Sequence, residues 1–344
     1  RLDGRPKVDG SERFGAHHWP TDAAYVRVIR SPFHAATFTF GDLAAFVACS
    51  PGIEAIFTAD DIAGENTFGV IPPFADQPAL AQQGTRFQGE AVALVVGERD
   101  ALVALDPATV PIEWSEAESN LDPATARTAA LVHASRTDNV LVTGNVRTGD
   151  PATALADAAH VVQGEMATSF VEHAYIEPEA GCAWMDGDTV VIQACTQSPY
   201  MDRDDTARVL GRDPETIRII PAATGGGFGS KLDVTVQPLL GLVALKTGKP
   251  CRMVFTRTES MTSTTKRHPG TMRARIGANA DGRVVGMQFD GDFDTGAYAS
   301  WGPTVANRVP VHASGPYTTP NYLARAHAIH TNGPVSGAFR GFGV

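Results

Sequence analysis

One arginine in this sequence lies between two aromatic residues in a glycine-dense stretch, Gly-Ala-Phe-Arg-Gly-Phe-Gly (337–343). Arginine keeps its charge at any physiological pH, and its planar fork of donors matches phosphate or oxo groups. Burying Arg340 without a partner would be costly, so we expect it to meet an anion. Phe342 is placed to stack on an aromatic substrate, whereas the commoner role, core packing, is favoured for Phe339.

A second glycine-dense loop, Thr-Gly-Gly-Gly-Phe-Gly-Ser-Lys (224–231), follows a predicted strand at 216–220 and precedes a predicted helix. Successive glycines let backbone N–H groups approach an anion or a cofactor oxygen closely. A tight crossover packed against a sheet is an equally good interpretation of the glycines alone. A nucleotide-hydrolysing P-loop is disfavoured, because Ser230 precedes Lys231 and Leu232 follows it.

Gln197 belongs to a third polar turn, Thr-Gln-Ser-Pro (196–199), which follows a predicted strand at 189–194. The ends of such strands commonly present ligand-binding groups. A side-chain amide donates and accepts at once, which suits a metal-oxo edge, although an ordinary turn residue is the usual alternative. Together the three loops indicate a backbone shaped around a large, flat, phosphate-bearing cofactor.

Two further polar segments are ambiguous. Glu-His-Ala-Tyr-Ile-Glu-Pro-Glu (172–179) has the composition of a metal site, but its spacing fits no zinc helix or facial triad. A structural network is therefore favoured there, and no metal ligated directly by side chains is expected. Lys-Arg-His-Pro (266–269) is expected to position backbone or a cofactor phosphate. No Ser-His-Asp or Cys-His arrangement and no Rossmann fingerprint is present.

Bulk composition excludes several classes of function. The chain has 344 residues, is 43% hydrophobic and carries a net charge of −10 without a basic block, which disfavours nucleic-acid binding. The longest apolar run, 239–245, is too short to span a membrane, and no apolar core follows the first residues as in a signal peptide. We expect a cytoplasmic protein.

The four cysteines (Cys49, Cys182, Cys195 and Cys251) are far apart and form no Cys-x-x-Cys pair. This spacing favours a reducing compartment over a disulfide framework. It also disfavours an iron–sulfur cluster on this chain, since clusters need grouped thiolates.

Hydrophobic periodicity predicts a small α/β unit from about 10 to 112, a polar connector, and a second α/β unit from about 145 onward. Predicted strands include 24–30, 53–58, 90–96, 161–167, 189–194, 216–220 and 252–255, with a hairpin of 272–280 and 283–290. Predicted helices include 42–49, 99–105, 150–159, 202–210 and one from about 238 to 246.

In combination, these loops resemble the molybdenum hydroxylases, the family of xanthine dehydrogenase and aldehyde oxidase. The phrases that carry the resemblance occur in the family's order along nearly the whole chain. They are Arg-Ser-Pro-Phe-His (30–34), Gly-Glu-Ala-Val-Ala-Leu-Val-Val (89–96), His-Ala-Tyr-Ile-Glu-Pro (173–178), Thr-Gln-Ser-Pro, Gly-Gly-Gly-Phe-Gly (225–229), Lys-Arg-His-Pro, Asp-Thr-Gly-Ala-Tyr (294–298) and Ala-Phe-Arg-Gly-Phe-Gly (338–343).

The resemblance implies an α+β fold with two domains. An N-terminal a/b hammerhead domain would occupy 1–113 and a connector 114–144. The first molybdopterin-binding α/β domain of the family would occupy 145–344, with the second molybdopterin domain absent from this chain.

The resemblance also implies roles for individual residues. The cofactor would be bound by Gln197, Gly227, Phe228, Gly229 and Arg340. Phe342 would stack on the substrate ring, and Arg308 falls where relatives polarise the substrate. Leu232 replaces a glutamate that contacts purines in animal xanthine dehydrogenases, which weakens a xanthine assignment. The family's general-base glutamate lies in the second molybdopterin domain, so no catalytic residue is expected on this chain.

The implied function is that of a molybdopterin-binding subunit in a multi-subunit enzyme that hydroxylates an N-heteroaromatic compound, nicotinate-like or purine-like, with water as oxygen source. An aldehyde oxidoreductase subunit and a non-catalytic cofactor-binding module are the alternatives. The chain's length is similar to that of the nicotinate dehydrogenase branch, which divides its molybdenum protein between two chains. A carbon monoxide dehydrogenase is disfavoured, because the 338–342 segment has no cysteine.

The implied cofactor is molybdenum with molybdopterin in its cytosine dinucleotide form. The implied partners are a second molybdopterin subunit, an iron–sulfur subunit with 2Fe-2S clusters and an FAD subunit. The small-molecule substrate would be an aromatic heterocycle or an aldehyde, with no nucleic-acid partner and no membrane span.

Overall fold

A computed structural model of the protein describes residues 4–343. Its strands, in chain order, are β1 (Ala24–Arg30), β2 (Ala36–Phe40), β3 (Ile53–Phe57), β4 (Gly84–Thr85), β5 (Ala91–Gly97), β6 (Ile112–Glu116), β7 (Val140–Thr148), β8 (His160–Thr168), β9 (Ala180–Asp186), β10 (Thr189–Ala194), β11 (Ile217–Pro221), β12 (Cys251–Val254), β13 (Gly270–Ala278), β14 (Val284–Gly296) and β15 (Asn321–His330). Its α-helices are α1 (Gly4–Asp9), α2 (Leu43–Cys49), α3 (Arg99–Ala104), α4 (Pro123–Ala126), α5 (Pro151–Ala156), α6 (Pro199–Leu210), α7 (Gln237–Thr247), α8 (Arg257–Ser263) and α9 (Gly302–His312).

The chain folds into two compact units, each built from two separate segments. The first contains residues 4–118 and His173–Thr264. It has a seven-stranded mixed sheet in the order β11-β10-β9-β12-β1-β5-β3 and a three-stranded sheet in the order β4-β2-β6. β10 pairs in parallel with β11, and β1 with β12.

Strand β5 explains why this unit needs helices on both sides of its large sheet. Side chains alternate between the two faces of a strand. Leu94 and Val96 enter one hydrophobic core, and Ala93 and Val95 enter another. All four are fully buried, which accounts for the unbroken apolar run in the sequence.

Two neighbouring parallel strands place the loops of the first unit side by side. β10 leads through residues 195–198 into α6, and β11 leads through residues 222–229 toward α7. Because β10 and β11 are parallel neighbours, both loops leave the same edge of the sheet. Glycines in the left-handed region end both helices, Gly211 at φ 64° and Gly248 at φ 66°.

The second unit contains Ser119–Glu172 and residues 265–343. Its five-stranded sheet has the order β7-β15-β14-β13-β8, and α9 packs against β7 and β15. β13 and β14 pair antiparallel, which confirms the predicted hairpin and its Asp281-Gly282 turn. β8 forms one edge of this sheet, and all nine of its residues are exposed.

Several predicted elements are confirmed within a residue or two at each end, notably β1, α2, β10 and α7. The predicted α5 is shorter than expected, ending at Ala156 rather than 159. Residues 114–144, predicted as a connector, include the end of β6, α4 and the start of β7. The domain boundaries near 113 and 145 stay a prediction, and their outermost residues, 1–3 and 344, lie outside the described range.

No helix between residues 4 and 343 combines the length and the apolarity that a bilayer-crossing helix requires.

Candidate functional site

The glycine loop of the first unit has a backbone that few side chains would allow. Gly226 and Gly229 have φ values of 103° and 114°, and Phe228, between them, is also left-handed at 53°. A Cβ added at Gly227 would collide with the Gln197 side chain. At Gly225 it would lie 2.6 Å from the Glu177 Cβ. The loop is therefore held close to its neighbours, while Phe228 at its tip is 41% exposed.

Gln197 is fixed against this loop by two hydrogen bonds. Its Oε1 accepts from the Gly229 N–H at 3.0 Å, and its own backbone N–H donates to the Lys231 carbonyl at 2.9 Å. Because the amide oxygen faces the loop, the Nε2 hydrogens of this exposed side chain are the donors left for a ligand. An oxo or thiolate acceptor matches that orientation.

A buried ion pair lies under the glycine loop. Lys231 Nζ is 2.9 Å from Glu177 Oε2, and the two side chains are only 1% and 9% exposed. Glu177 also accepts from the Gly225 N–H at 2.7 Å and from the Gly15 N–H at 2.8 Å. One carboxylate thus contacts both ends of the loop and a distant N-terminal segment.

Lys231 also contacts the Tyr175 ring, and Tyr175 in turn is hydrogen-bonded to Glu179. Lys231 Nζ lies 4.6 Å from the Tyr175 ring centroid, a cation–π contact. The Tyr175 hydroxyl donates to Glu179, and its oxygen lies 3.3 Å from the Ser230 hydroxyl. Burial, followed by the negative charge of Glu179, raises the pKa of Tyr175 above its ordinary value. Glu177 and Glu179 are therefore parts of a structural network, as predicted for the 172–179 segment.

Asp202, in the first turn of α6, is a second buried acid near the Gln197 turn. Its Oδ2 accepts from Gln237 Nε2 at 3.0 Å. Burial raises its pKa from 3.8 to about 7, against the lowering effect of hydrogen bonds from Thr196 and Gln237. The turn that carries Gln197 is therefore hydrogen-bonded, through Thr196, to a buried carboxyl group whose pKa is raised to about 7.

The second unit brings Arg308 and Phe342 together. Arg308 projects from α9, and its guanidinium lies 4.4 Å from the Phe342 ring centroid. Trp301 meets the same ring edge-on at 5.5 Å. Gly343 is needed here, because a Cβ at this position would be 2.6 Å from the Arg308 Cβ. Phe342 is therefore held on two sides and remains partly exposed.

Arg340 is exposed, and its backbone carbonyl accepts from Arg267 Nη2 at 3.0 Å. The preceding residues are buried, since Gly337 lies against Thr265 and Ala338 is fully enclosed. The Lys-Arg-His-Pro segment was expected to position backbone, and its Arg267 does so by binding the Arg340 carbonyl. Lys266 also pairs with Glu172 at 2.6 Å, which completes the structural interpretation of the 172–179 segment.

A cavity of about 680 Å³ lies beside the Phe342 ring within the second unit. Its walls are mainly apolar and aromatic, and the polar members are Thr168, Ser169, Arg267, His268 and His312. Further lining residues are Met272, Phe289, Phe293, Val305, Val309 and Phe339. A space of this size and character accommodates a small aromatic molecule.

The structure thus brings together Gln197, Gly227, Phe228, Gly229 and Leu232 in the first unit. In the second unit it brings together Arg308 and Phe342, with Arg340 two positions earlier in the same loop. Sequence reasoning missed the roles of Glu177, Lys231 and Trp301. A glutamate and a lysine bracketing a glycine loop in space carry no local sequence signal, whereas Arg267 was at least marked by its motif.

The residues present fit a molybdenum–pterin group. The glycine loop offers backbone that a Cβ at Gly227 would close off, and Gln197 turns donors outward beside it. When bound, that group would transfer an oxygen atom derived from water to a substrate and accept the two electrons that the substrate releases.

Comparisons with known proteins point the same way. The family model described as Molybdopterin cofactor-binding domain matches residues 132–344. The nicotinate dehydrogenase large molybdopterin subunit of Eubacterium barkeri is 38% identical over 349 residues, covering 100% of this chain and 80% of that subunit. A xanthine dehydrogenase molybdenum-binding subunit of Escherichia coli is 31% identical over 358 residues, covering 100% of this chain and 47% of that subunit.

Solved structures with the same fold include the aldehyde oxidoreductase of Desulfovibrio gigas, with a TM-score of 0.94 at 24% identity. The match covers 100% of this chain and 39% of that one. Quinoline 2-oxidoreductase from Pseudomonas putida 86 gives a TM-score of 0.91 at 25% identity, covering 100% of this chain and 45% of that one. These matches confirm the predicted fold class.

Proposed function

Because the chain belongs to the molybdopterin cofactor-binding family, we propose that it is the molybdopterin-binding subunit of a multi-subunit hydroxylase acting on an N-heteroaromatic compound. The observation that carries the proposal is the fit of the Gln197 amide against a glycine loop whose backbone has no room for side chains. Such a surface binds a cofactor edge rather than a metal ion ligated by side chains.

Each side chain would act in a distinct way. The Gln197 Nε2 and the backbone around Phe228 and Gly229 would donate to the cofactor's oxo and dithiolene side, and Arg340 would neutralise its negative charge. Phe342 would orient the substrate ring by stacking, in a position held by Arg308 and Trp301.

An N-heteroaromatic substrate is supported by the aromatic lining of the cavity beside Phe342. Leu232, half-buried after the glycine loop, offers no polar group to a purine. We therefore favour a pyridine-type ring such as nicotinate, the substrate named for the Eubacterium barkeri relative.

Further subunits complete this proposal. Cys182, Cys195 and Cys251 are buried and Cys49 is exposed, and among the described residues no group of three or more possible metal ligands contains a cysteine. This supports placing 2Fe-2S clusters, and with them FAD, on partner subunits. The free thiols also support a cytoplasmic, reducing location.

The general base would belong to a second molybdopterin polypeptide or domain. Within the described residues, Glu172, Glu177 and Glu179 each bind a protein group. Their engagement leaves them poorly suited to take a proton from a reacting water molecule. The cytosine dinucleotide form of the cofactor is proposed with the same assembly.

The proposal is tested by isolating the native assembly through this chain. We expect about one molybdenum per chain, a co-purifying second molybdopterin polypeptide, and turnover of nicotinate above purines and aldehydes. Preferential turnover of aldehydes would favour an aldehyde oxidoreductase, and absence of both molybdenum and turnover would reject the proposal. Hydrolysis of the bound nucleotide followed by mass spectrometry identifies its base.

A further inference from the structure

We propose that Arg267 is a positioning residue that sets the place of the loop formed by residues 337–343. The consequence for substrate binding rests on the proposed function, because it uses the stacking role of Phe342. The positioning itself depends only on contacts within the second unit.

The main chain next to Arg267 forms a short ladder with the start of the 337–343 loop. The Lys266 N–H donates to the Val335 carbonyl at 2.9 Å, and the Gly337 N–H donates to the Lys266 carbonyl at 3.0 Å. Thr265 fills the space in front of Gly337, where a Cβ would approach to 2.6 Å. The first residues of the loop are thus held by main-chain hydrogen bonds and by the packing of Thr265.

Beyond Ala338 the Arg267 side chain adds two contacts to the loop. Its guanidinium lies 4.1 Å from the Phe339 ring centroid, and its Nη2 donates to the Arg340 carbonyl at 3.0 Å. A planar guanidinium can lie face to face on a ring and at the same time donate from its edge, a geometry that a lysine ammonium, which has no planar face, does not reproduce. Two consecutive loop residues are therefore fixed by one side chain.

The anchoring of Arg267 is independent of the loop it supports. Its backbone N–H donates to the Val171 carbonyl at 3.0 Å, and β13 follows at Gly270. Arg267 therefore joins the end of the loop to the sheet. It contacts Arg340 at the main-chain carbonyl, and Arg340 itself is exposed.

At the far end of the loop, Arg308 and Trp301 contact Phe342. The loop accordingly has an arginine against each of its phenylalanines, Arg267 on Phe339 and Arg308 on Phe342. If Arg267 no longer contacts Phe339 and Arg340, the turn between Phe339 and Phe342 is no longer fixed at its beginning. The Phe342 ring then occupies more than one position.

The test compares Arg267→Met with Arg267→Lys in the native assembly. Arg283→Met, at an exposed position in the β13–β14 turn, is the matched control. Hydrogen–deuterium exchange of the 337–343 peptide should be about tenfold faster for Arg267→Met, less affected for Arg267→Lys and unchanged for Arg283→Met. Phe339→Leu should also accelerate exchange, and its effect should not add to that of Arg267→Met.

Unchanged exchange of this peptide in Arg267→Met would overturn the proposal. Equal acceleration along β14 would also overturn it, since Arg267 would then be a general stability residue. Steady-state kinetics provide a second readout, in which Arg267→Met should raise KM by about tenfold with kcat retained. Faster loop exchange in an assembly that hydroxylates no substrate would support the positioning role and reject the proposed function separately.

Discussion

Lys231 and Glu177 form a buried ion pair, with Nζ and Oε2 2.9 Å apart, directly beneath the glycine loop. A buried charge that loses its partner is strongly unfavourable, because the interior does not solvate it. The lysine next to the loop thus stabilises the loop from below instead of reaching a phosphate, as the lysine of a P-loop does.

We predict that Glu177→Ala lowers the free energy of unfolding by about 3–5 kcal/mol. The variant leaves the Lys231 ammonium buried without a carboxylate and removes the acceptor of two backbone N–H groups. Urea denaturation measures the change. The matched control is Glu54→Ala, which breaks the exposed Lys249–Glu54 pair at 2.8 Å and should cost less than about 1 kcal/mol. Similar losses at both sites would contradict this account.

Gly227→Ala should sharply reduce molybdenum content while the chain still folds. Its Cβ would displace the Gln197 side chain from the loop, together with the hydrogen bond from Gly229. Metal analysis and circular dichroism separate the two effects. Gly164→Ala is the control, since a Cβ there meets nothing within 4 Å. Full molybdenum content in Gly227→Ala would remove Gln197 and its loop from cofactor binding.

Phe342→Ala is expected to raise KM strongly, by about tenfold, with molybdenum content intact. Stacking of the substrate ring would be lost, and the Arg308 guanidinium would lose the ring that it covers. Steady-state kinetics with the preferred substrate, alongside metal analysis, check this outcome. Loss of the metal would refute the stacking role and indicate that Phe342 supports the cofactor.

Burial of Asp202 predicts a pH dependence of stability. Its pKa is about 7 in the folded state against 3.8 ordinarily, so between these values the folded state holds a proton that the unfolded state has released. The proton held by Asp202 therefore stabilises the folded state at acidic pH, and this stabilisation is lost as the pH rises toward 7. Asp202→Asn should flatten the decline in the free energy of unfolding between about pH 5 and pH 7.

Part of that decline should persist in Asp202→Asn. Burial also raises the pKa of Asp294 to about 7, and this group acts with the same sign. Glu118→Gln, at an exposed position, serves as the control. Identical pH profiles for Asp202→Asn and the wild-type chain would show that Asp202 does not titrate in this range.

Elements with strong local signals could be predicted from the sequence. Asp150 and Pro151 predicted the start of α5, and Asp150 does accept a hydrogen bond from the Thr153 N–H. Helix α9 was missed, because Pro310 lies inside it and proline ordinarily interrupts a helix, whereas Pro303 is in its first turn, where proline is well tolerated. Family membership was also predictable, because several short sequence motifs occur in this chain in the same order as in the family.

The supports of the candidate site could not be predicted in the same way. The contacts of Arg308 with Phe342 and of Arg267 with Phe339 join residues far apart in the chain. Their partners depend on how strands and helices pack, which no local pattern records. The assigned roles of Gln197, Leu232 and Arg340 stay predictions that the variants and substrate tests above address.

The exposed edge strand β8 has a practical consequence for handling this chain. An unpaired strand edge offers a row of free backbone donors and acceptors to any other strand. Val162 and Met166, 72% and 66% exposed, add apolar surface to that row. Overproduction of this polypeptide by itself therefore invites aggregation through strand addition, and lysine substitutions at these two positions should keep it dispersed.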